Sequence, residues 1–178
     1  MAQQNNYQKS GFKSVYRHLR FGGKPSAIAP VKVAKQHIDI RRVPISELLE
    51  YETSLFMYVR PTLLAAWISL PESHGLVAYE TGRIKGYGVI RPSFSGYRIG
   101  PLFADDLATA EELYNALCLY VMEDKQVFID LPDANPLAIK LAESQHLTLV
   151  FEAARMYRGE IPQVDINRIY SVLSLELG

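Results

Sequence analysis

At 178 residues, with 48% hydrophobic and 21% charged residues, the chain suits one globular domain with an appendage. No apolar run approaches the ~18 residues of a membrane span and the N-terminus is polar, so neither a membrane role nor a signal peptide is expected. The single cysteine, Cys118, excludes an internal disulfide and suits a reducing compartment, the cytoplasm.

Residues 7–11 read as the last turn of a helix ending at Gly11, followed by a strand from Phe12 to Phe21. Gly22 to Ser26 is loop chemistry and Ala27 to Gln36 an extended linker, which places a boundary between Gly23 and His37. A short strand over His37–Arg42 then precedes a helix introduced by Pro44, with Ser46 as candidate N-cap. A second helix covers Thr62 to Ser69. Strands Leu76–Glu80 and Ile84–Arg91 form a hairpin around Thr81-Gly82-Arg83, and another strand runs from Tyr97 to Phe103. Ala110, Leu113, Leu117 and Tyr120 share one face of a helix over Leu107–Met122, capped by Asp105 or Asp106. Val127–Leu131 is a buried strand, Pro136 opens a helix through Ser144, and Leu147–Met156 and Ile169–Leu177 close the order as strands. The fold class expected is a mixed-sheet α/β (α+β) domain over 37–178, preceded by a linker at 24–36 and a separate N-terminal piece at 1–23.

Charge divides the same way. Residues 1–42 hold nine Lys/Arg against Asp39 alone, whereas the remainder holds ten against eighteen acids. Such an arm could meet nucleic acid or an anionic cofactor; no nucleic-acid motif accompanies it, and contact with the acidic body of its own or a neighbouring subunit is the preferred reading. Tyr16, Leu19 and Phe21 would otherwise be an uncovered strand, which favours a homo-oligomer formed through this arm. His18, His37, His74 and His146 show no ligand spacing, so no metal site is expected.

Tyr7-Gln-Lys-Ser-Gly-Phe12 also has a partner later in the chain. Asn135 to Leu147 carries a related pattern at an offset of 135 residues, and the offset persists from Val15 with Val150 to Arg20 with Arg155. The Tyr-x-Lys-x-Gly-Phe block, and Asn135, Ala138 and Leu141 in its second copy, resemble the closing helix of the GNAT acyl-CoA-dependent N-acetyltransferases. Gly86-Tyr-Gly-Val-Ile-Arg91, Tyr97 to Ala104, Ala154 to Gly159 and Ser174 to Gly178 resemble more narrowly the C-terminal half of bacterial tandem GNAT proteins of the YitH type. The resemblance implies a mixed, V-shaped sheet with acetyl-CoA in its cleft, and acetyl transfer to a primary amine on a small molecule or a peptide. It also makes residues 1–23 the remnant of a first GNAT domain.

On the same terms the site residues follow. Tyr7 stands where the family's tyrosine protonates the departing thiolate, a general-acid role worth ~10²–10⁴ in rate; it would act only with an intact first domain, and otherwise is a helix-end aromatic. The second copy has Ala142 at that position. Ile99, Gly100, Leu102, Phe103 and Asn135 occupy the cofactor-binding positions. Asp130 is a candidate base or cation anchor at the cleft mouth, with Asp133 beside it as base or helix cap. The diphosphate loop lacks its glycines: Phe103 to Thr109 carries Asp105 and Asp106 instead, which would repel a diphosphate. Arg60 and Arg155 could hold a ligand carboxylate or internal acids, while Trp67 and Tyr58 read as packing in the helical layer. Two functions are therefore open: an acetyltransferase portion with a degenerate cofactor site, or a non-catalytic binding or dimerisation module.

Overall fold

The computed structural model describes residues 4–25 and 35–176; most of the expected linker lies outside them. Helices are α1 (Gln4–Lys9), α2 (Ile45–Thr53), α3 (Pro61–Ile68), α4 (Leu107–Cys118) and α5 (Pro136–Ser144). Strands are β1 (Lys13–Gly23), β2 (Gln36–Asp39), β3 (His74–Glu80), β4 (Arg83–Ser93), β5 (Gly96–Ala104), β6 (Val127–Pro132), β7 (Thr148–Tyr157) and β8 (Ile169–Ser171). They form one sheet in the order β2-β3-β4-β5-β6-β1-β7, with β8 also on β5. Among the described residues only β5 and β6 pair in parallel.

Several local expectations shift. Residues 40–42 form a 3-10 turn rather than strand, because the Asp39 carboxylate accepts from the Arg41 N–H and caps it. Pro44, not Ser46, is the N-cap of α2, and it makes no side-chain cap. Asp106 rather than Asp105 caps α4, its carboxylate accepting from the Thr109 N–H and hydroxyl at 2.7 and 2.8 Å. The last strand stops at Ser171.

The largest difference concerns β1. It does not stand apart: it lies between β6 and β7, antiparallel to both, with His18 opposite Pro132 on one side and Ala153 on the other. Leu19 and Phe21, expected to lack cover, are buried beneath α4 and α5 with Ile99, Leu113, Ile129 and Leu141. The opposite face packs α2 and α3 through Leu48, Tyr51 and Leu64 onto Val77, Tyr87, Val89 and Phe103. Residues 1–23 and 37–178 therefore contribute to a single sheet. Among the described residues no helix is long and apolar enough to cross a membrane.

Candidate functional site

β5 and β6 run side by side only from Tyr97/Val127 to Ile99/Ile129, and then part. The gap is occupied by the chain's own C-terminal segment. Leu102 pairs with Ser171 and Phe103 with Ile169. The Ser171 hydroxyl donates to the Ile99 carbonyl at 2.8 Å and accepts from the Asp130 N–H at 3.0 Å, and the Val172 N–H donates to the Asp130 carbonyl at 2.8 Å. One tail strand thus ties both arms of the V.

Gly100 is where it fits most closely. A Cβ there would lie 2.5 Å from the Val172 carbonyl oxygen and 2.8 Å from that of Leu173. The Gly100 carbonyl itself accepts from the Trp67 indole N–H at 2.8 Å, which anchors α3 over the same point. Asn135 serves both ends of the arrangement. Its Oδ1 accepts from the Leu137 and Ala138 N–H groups at the start of α5, and its Nδ2 donates to the carbonyls of Asn167 and Ile169. Ile99, Gly100, Leu102, Phe103 and Asn135, placed by resemblance around a cofactor, are brought together here around Asn167 to Leu173.

The turn from β5 into α4 is likewise engaged. Asp105 accepts from Arg168 at 2.5 Å and from the Tyr51 hydroxyl at 3.2 Å, with the Lys85 ammonium at 3.5 Å. Burial and the Asp105 charge push the Tyr51 phenol well above its ordinary range. Arg168 belongs to the tail, so the ion pair pins that segment to the turn between β5 and α4. A pantetheine arm would meet β8 and the carbonyls over Gly100, and its diphosphate would meet two carboxylates in a turn without glycine.

A second feature lies on the sheet beyond the V. Along β1 the alternation puts Tyr16, His18 and Arg20 on one face, and Phe151, Ala153 and Arg155 stand opposite them on β7. Tyr7 and Phe12, an edge-to-face pair 5.5 Å apart, wall this floor on one side and Leu175 on another. The hollow so formed measures about 560 Å³. Tyr7, 52% exposed, lines it rather than packing away.

Asp130 has a different employment from the one expected. It is 4% exposed, and both its oxygens accept from Arg20, at 2.6 and 2.8 Å. Asp133 accepts from the Arg17 backbone and side chain at 2.8 Å, and the N-cap of α5 is Asn135. Arg60 bonds the buried Glu52, which the Tyr87 hydroxyl also reaches, while Arg155 donates through Nε to the Tyr157 hydroxyl. Tyr58 is exposed instead of packed. Ala142 is buried under the core.

One residue of the hollow was set aside by metal-ligand spacing. His18 is 2% exposed, and its Nε2 has no hydrogen-bond partner among the described residues. Burial, then the nearby Arg155 charge, pushes its imidazole down to about 4, against the opposing pull of Asp130 and Asp133. The period-two pattern Tyr16, His18, Arg20 was the available signal. Among the described residues no group of three His, Cys, Asp or Glu side chains is placed to hold a metal ion.

Comparison with known proteins agrees with this architecture. The profile of the acetyltransferase (GNAT) domain matches residues 48–171. The holothin acyltransferase of Pseudoalteromonas sp. is 31% identical over 176 residues, 99% of this chain and 59% of that protein. A Pyrococcus horikoshii protein provisionally assigned as an acetyltransferase superposes with a TM-score of 0.77 at 21% identity, over 97% of this chain and 56% of its own. A GCN5-related N-acetyltransferase from Anabaena variabilis gives 0.59 at 15% identity, over 88% of this chain and 43% of its own. The match thus spans between 43% and 59% of the length of these relatives. Its sheet and its sequence place it in the GNAT acetyltransferase family.

Proposed function

We propose that this chain takes part in acyl transfer from an acyl-CoA, acetyl-CoA by family habit, to a primary amine, and that it supplies the acceptor side without holding the cofactor itself. The observation that carries this reading is the tail strand seated between β5 and β6, with Val172 and Leu173 closed over Gly100. The cleft that gives the family its activity is filled here by ordered backbone, hydrogen-bonded to Ile99 on one arm and Asp130 on the other. Displacing it would expose Ile169, Tyr170, Val172 and Leu173, all buried, together with the polar groups they cover.

Tandem organisation of the YitH type accounts for the remaining features. Relatives are longer than this chain, and the first 23 residues carry the family's tyrosine block. In that arrangement a preceding unit holds the acyl-CoA in the cytoplasm and Tyr7 faces it. Holothin acyltransferase, named for an acyl transfer, supports acyl transfer as the activity of the longer protein.

Isothermal titration of the chain with acetyl-CoA at low salt tests the reading. No heat of binding is expected, and no thiol release when amines are added. Micromolar affinity would overturn it.

A further inference from the structure

We infer that Arg91 and Arg98, opposite each other on β4 and β5, form a site for the carboxylate of a small monoanionic molecule. The ladder sets the two side by side on one face of the sheet. Like charges in directly opposed positions repel, and an anion shared between them relieves both.

The pair is held in place and left without an anion. Arg91 lies over the Trp67 ring at 5.1 Å, and the Trp67 indole N–H is itself fixed on the Gly100 carbonyl. Both arginines are half-buried, and the Nε of each is enclosed with no hydrogen-bond partner among the described residues. Contact with a ligand therefore falls to the terminal Nη groups, which are not enclosed in this way. Among the described residues neither arginine belongs to an ion pair. A guanidinium stacked on a ring loses little freedom when it binds. Its parallel N–H groups match the two oxygens of a planar carboxylate.

The surrounding charges set the charge of the ligand. Arg98, Asp130, Glu176 and Arg20 all act on Arg91. Asp130 is bound by Arg20 through both oxygens, so that pair is neutral within itself. Glu176 is exposed on the tail and held by Ser174, with Arg98 and Arg20 acting on it through space. Three guanidiniums against two carboxylates leave one positive charge. A carboxylate cancels that charge, whereas a phosphate dianion overshoots it and adds repulsion from Glu176. Burial and then the Arg98 charge pull Arg91 below the ordinary arginine range, against Asp130 and Glu176. An anion between the two arginines opposes that pull.

The test titrates the whole chain with benzoate at about pH 8, where inorganic phosphate is a dianion, with benzamide as the uncharged counterpart. Saturation-transfer NMR at ~1 mM ligand, the range of weak small-molecule sites, should detect benzoate and not benzamide. Equimolar phosphate should leave most of the benzoate signal in place. Arg91→Gln and Arg98→Gln should each weaken benzoate about tenfold or more, as expected when a charged hydrogen bond is lost, with folding checked by their melts. Glu176→Gln acts in the opposite sense. Removing this carboxylate from an exposed position should tighten benzoate about two- to fivefold, the range of an exposed charge pair, a gain that no loss of folding imitates. Absence of benzoate binding to the wild-type chain overturns the inference, as does equal binding of benzamide or displacement by equimolar phosphate. Unchanged affinity in either arginine variant overturns the shared site, and unchanged or weaker binding in Glu176→Gln overturns the charge count. Acetyl-CoA enters none of these measurements, so the carboxylate site and the acyl-transfer reading fail separately.

Discussion

Gly11 and His146 occupy the same left-handed turn at the ends of two helices, with φ of 83° and 57°. The hydrogen bonds match as well. Phe12 N–H donates to the Tyr7 carbonyl and Gly11 N–H to that of Gln8; Leu147 N–H donates to the Ala142 carbonyl and His146 N–H to that of Glu143. After each turn the chain enters a strand, and those strands, β1 and β7, are antiparallel neighbours. A side chain in this conformation costs ~1 kcal/mol or more, which glycine avoids. His146 is exposed and loses little packing on truncation. His146→Gly should therefore raise the thermal midpoint by about 2–4 °C, the shift expected per kcal/mol for a domain of this size. Gly11→Ala should lower it. Calorimetry of both variants checks the pair.

Gly100→Val puts a branched side chain against two tail carbonyls that a single Cβ would already meet at 2.5 and 2.8 Å. Neither is the end of a flexible side chain, so the tail must move. The expected cost is ~1–3 kcal/mol or more, with faster proteolysis near residues 166–176 than in the wild type. Urea denaturation and a timed digest measure the two effects; an unchanged midpoint would show that the tail is not held at this point.

Arg20 and Asp130 form a nearly enclosed bidentate pair, their side chains 17% and 6% exposed. Removing only the guanidinium leaves a buried carboxylate without its partner. Arg20→Met should cost ~3–5 kcal/mol, while Arg20→Met combined with Asp130→Leu should recover a large part of it. A double-mutant cycle in urea reads the coupling directly.

His18 makes stability depend on pH in a definite direction. Its folded pKa is about 4, below the ordinary value of 6.5, so between those values the unfolded chain binds the additional proton. Stability falls as pH drops from about 6.5 towards 4 and is level in this respect above 6.5. His37, lowered chiefly by burial, acts in the same sense. Thermal melts across pH 4–7 should show the decline, with a shallower slope in His18→Gln; the NMR titration of the His18 ring proton assigns its share.

Deleting residues 1–24 removes β1 and leaves β6 and β7 as two exposed edges with no strand between them. A chain of residues 37–178 should melt without cooperativity, and a peptide of residues 7–24 added in trans should restore a cooperative transition. A sharp melt of 37–178 alone would show that β6 and β7 can pair directly.

Much of this molecule was legible as sequence because the signals are local. Period-two runs gave the strands, the turn at Thr81-Gly82 gave the hairpin, and Pro136 after Asn135 gave the start of α5. The spacing shared by Gly11 and His146 reveals a repeated helix-to-strand joint. What distance along the chain concealed was decided by tertiary packing. A segment of eleven residues carries no mark of which strands it will join, and β1 lies between β6 and β7 because Leu19 and Phe21 need the cover of α4 and α5. The five residues that resemble a cofactor site meet Asn167 to Leu173, since a tail more than 30 residues away from Asn135 offers hydrogen bonds to both arms of the V. His18 became informative for the same reason. Its chemistry depends on the partner its buried nitrogen lacks, which no property of the sequence displays.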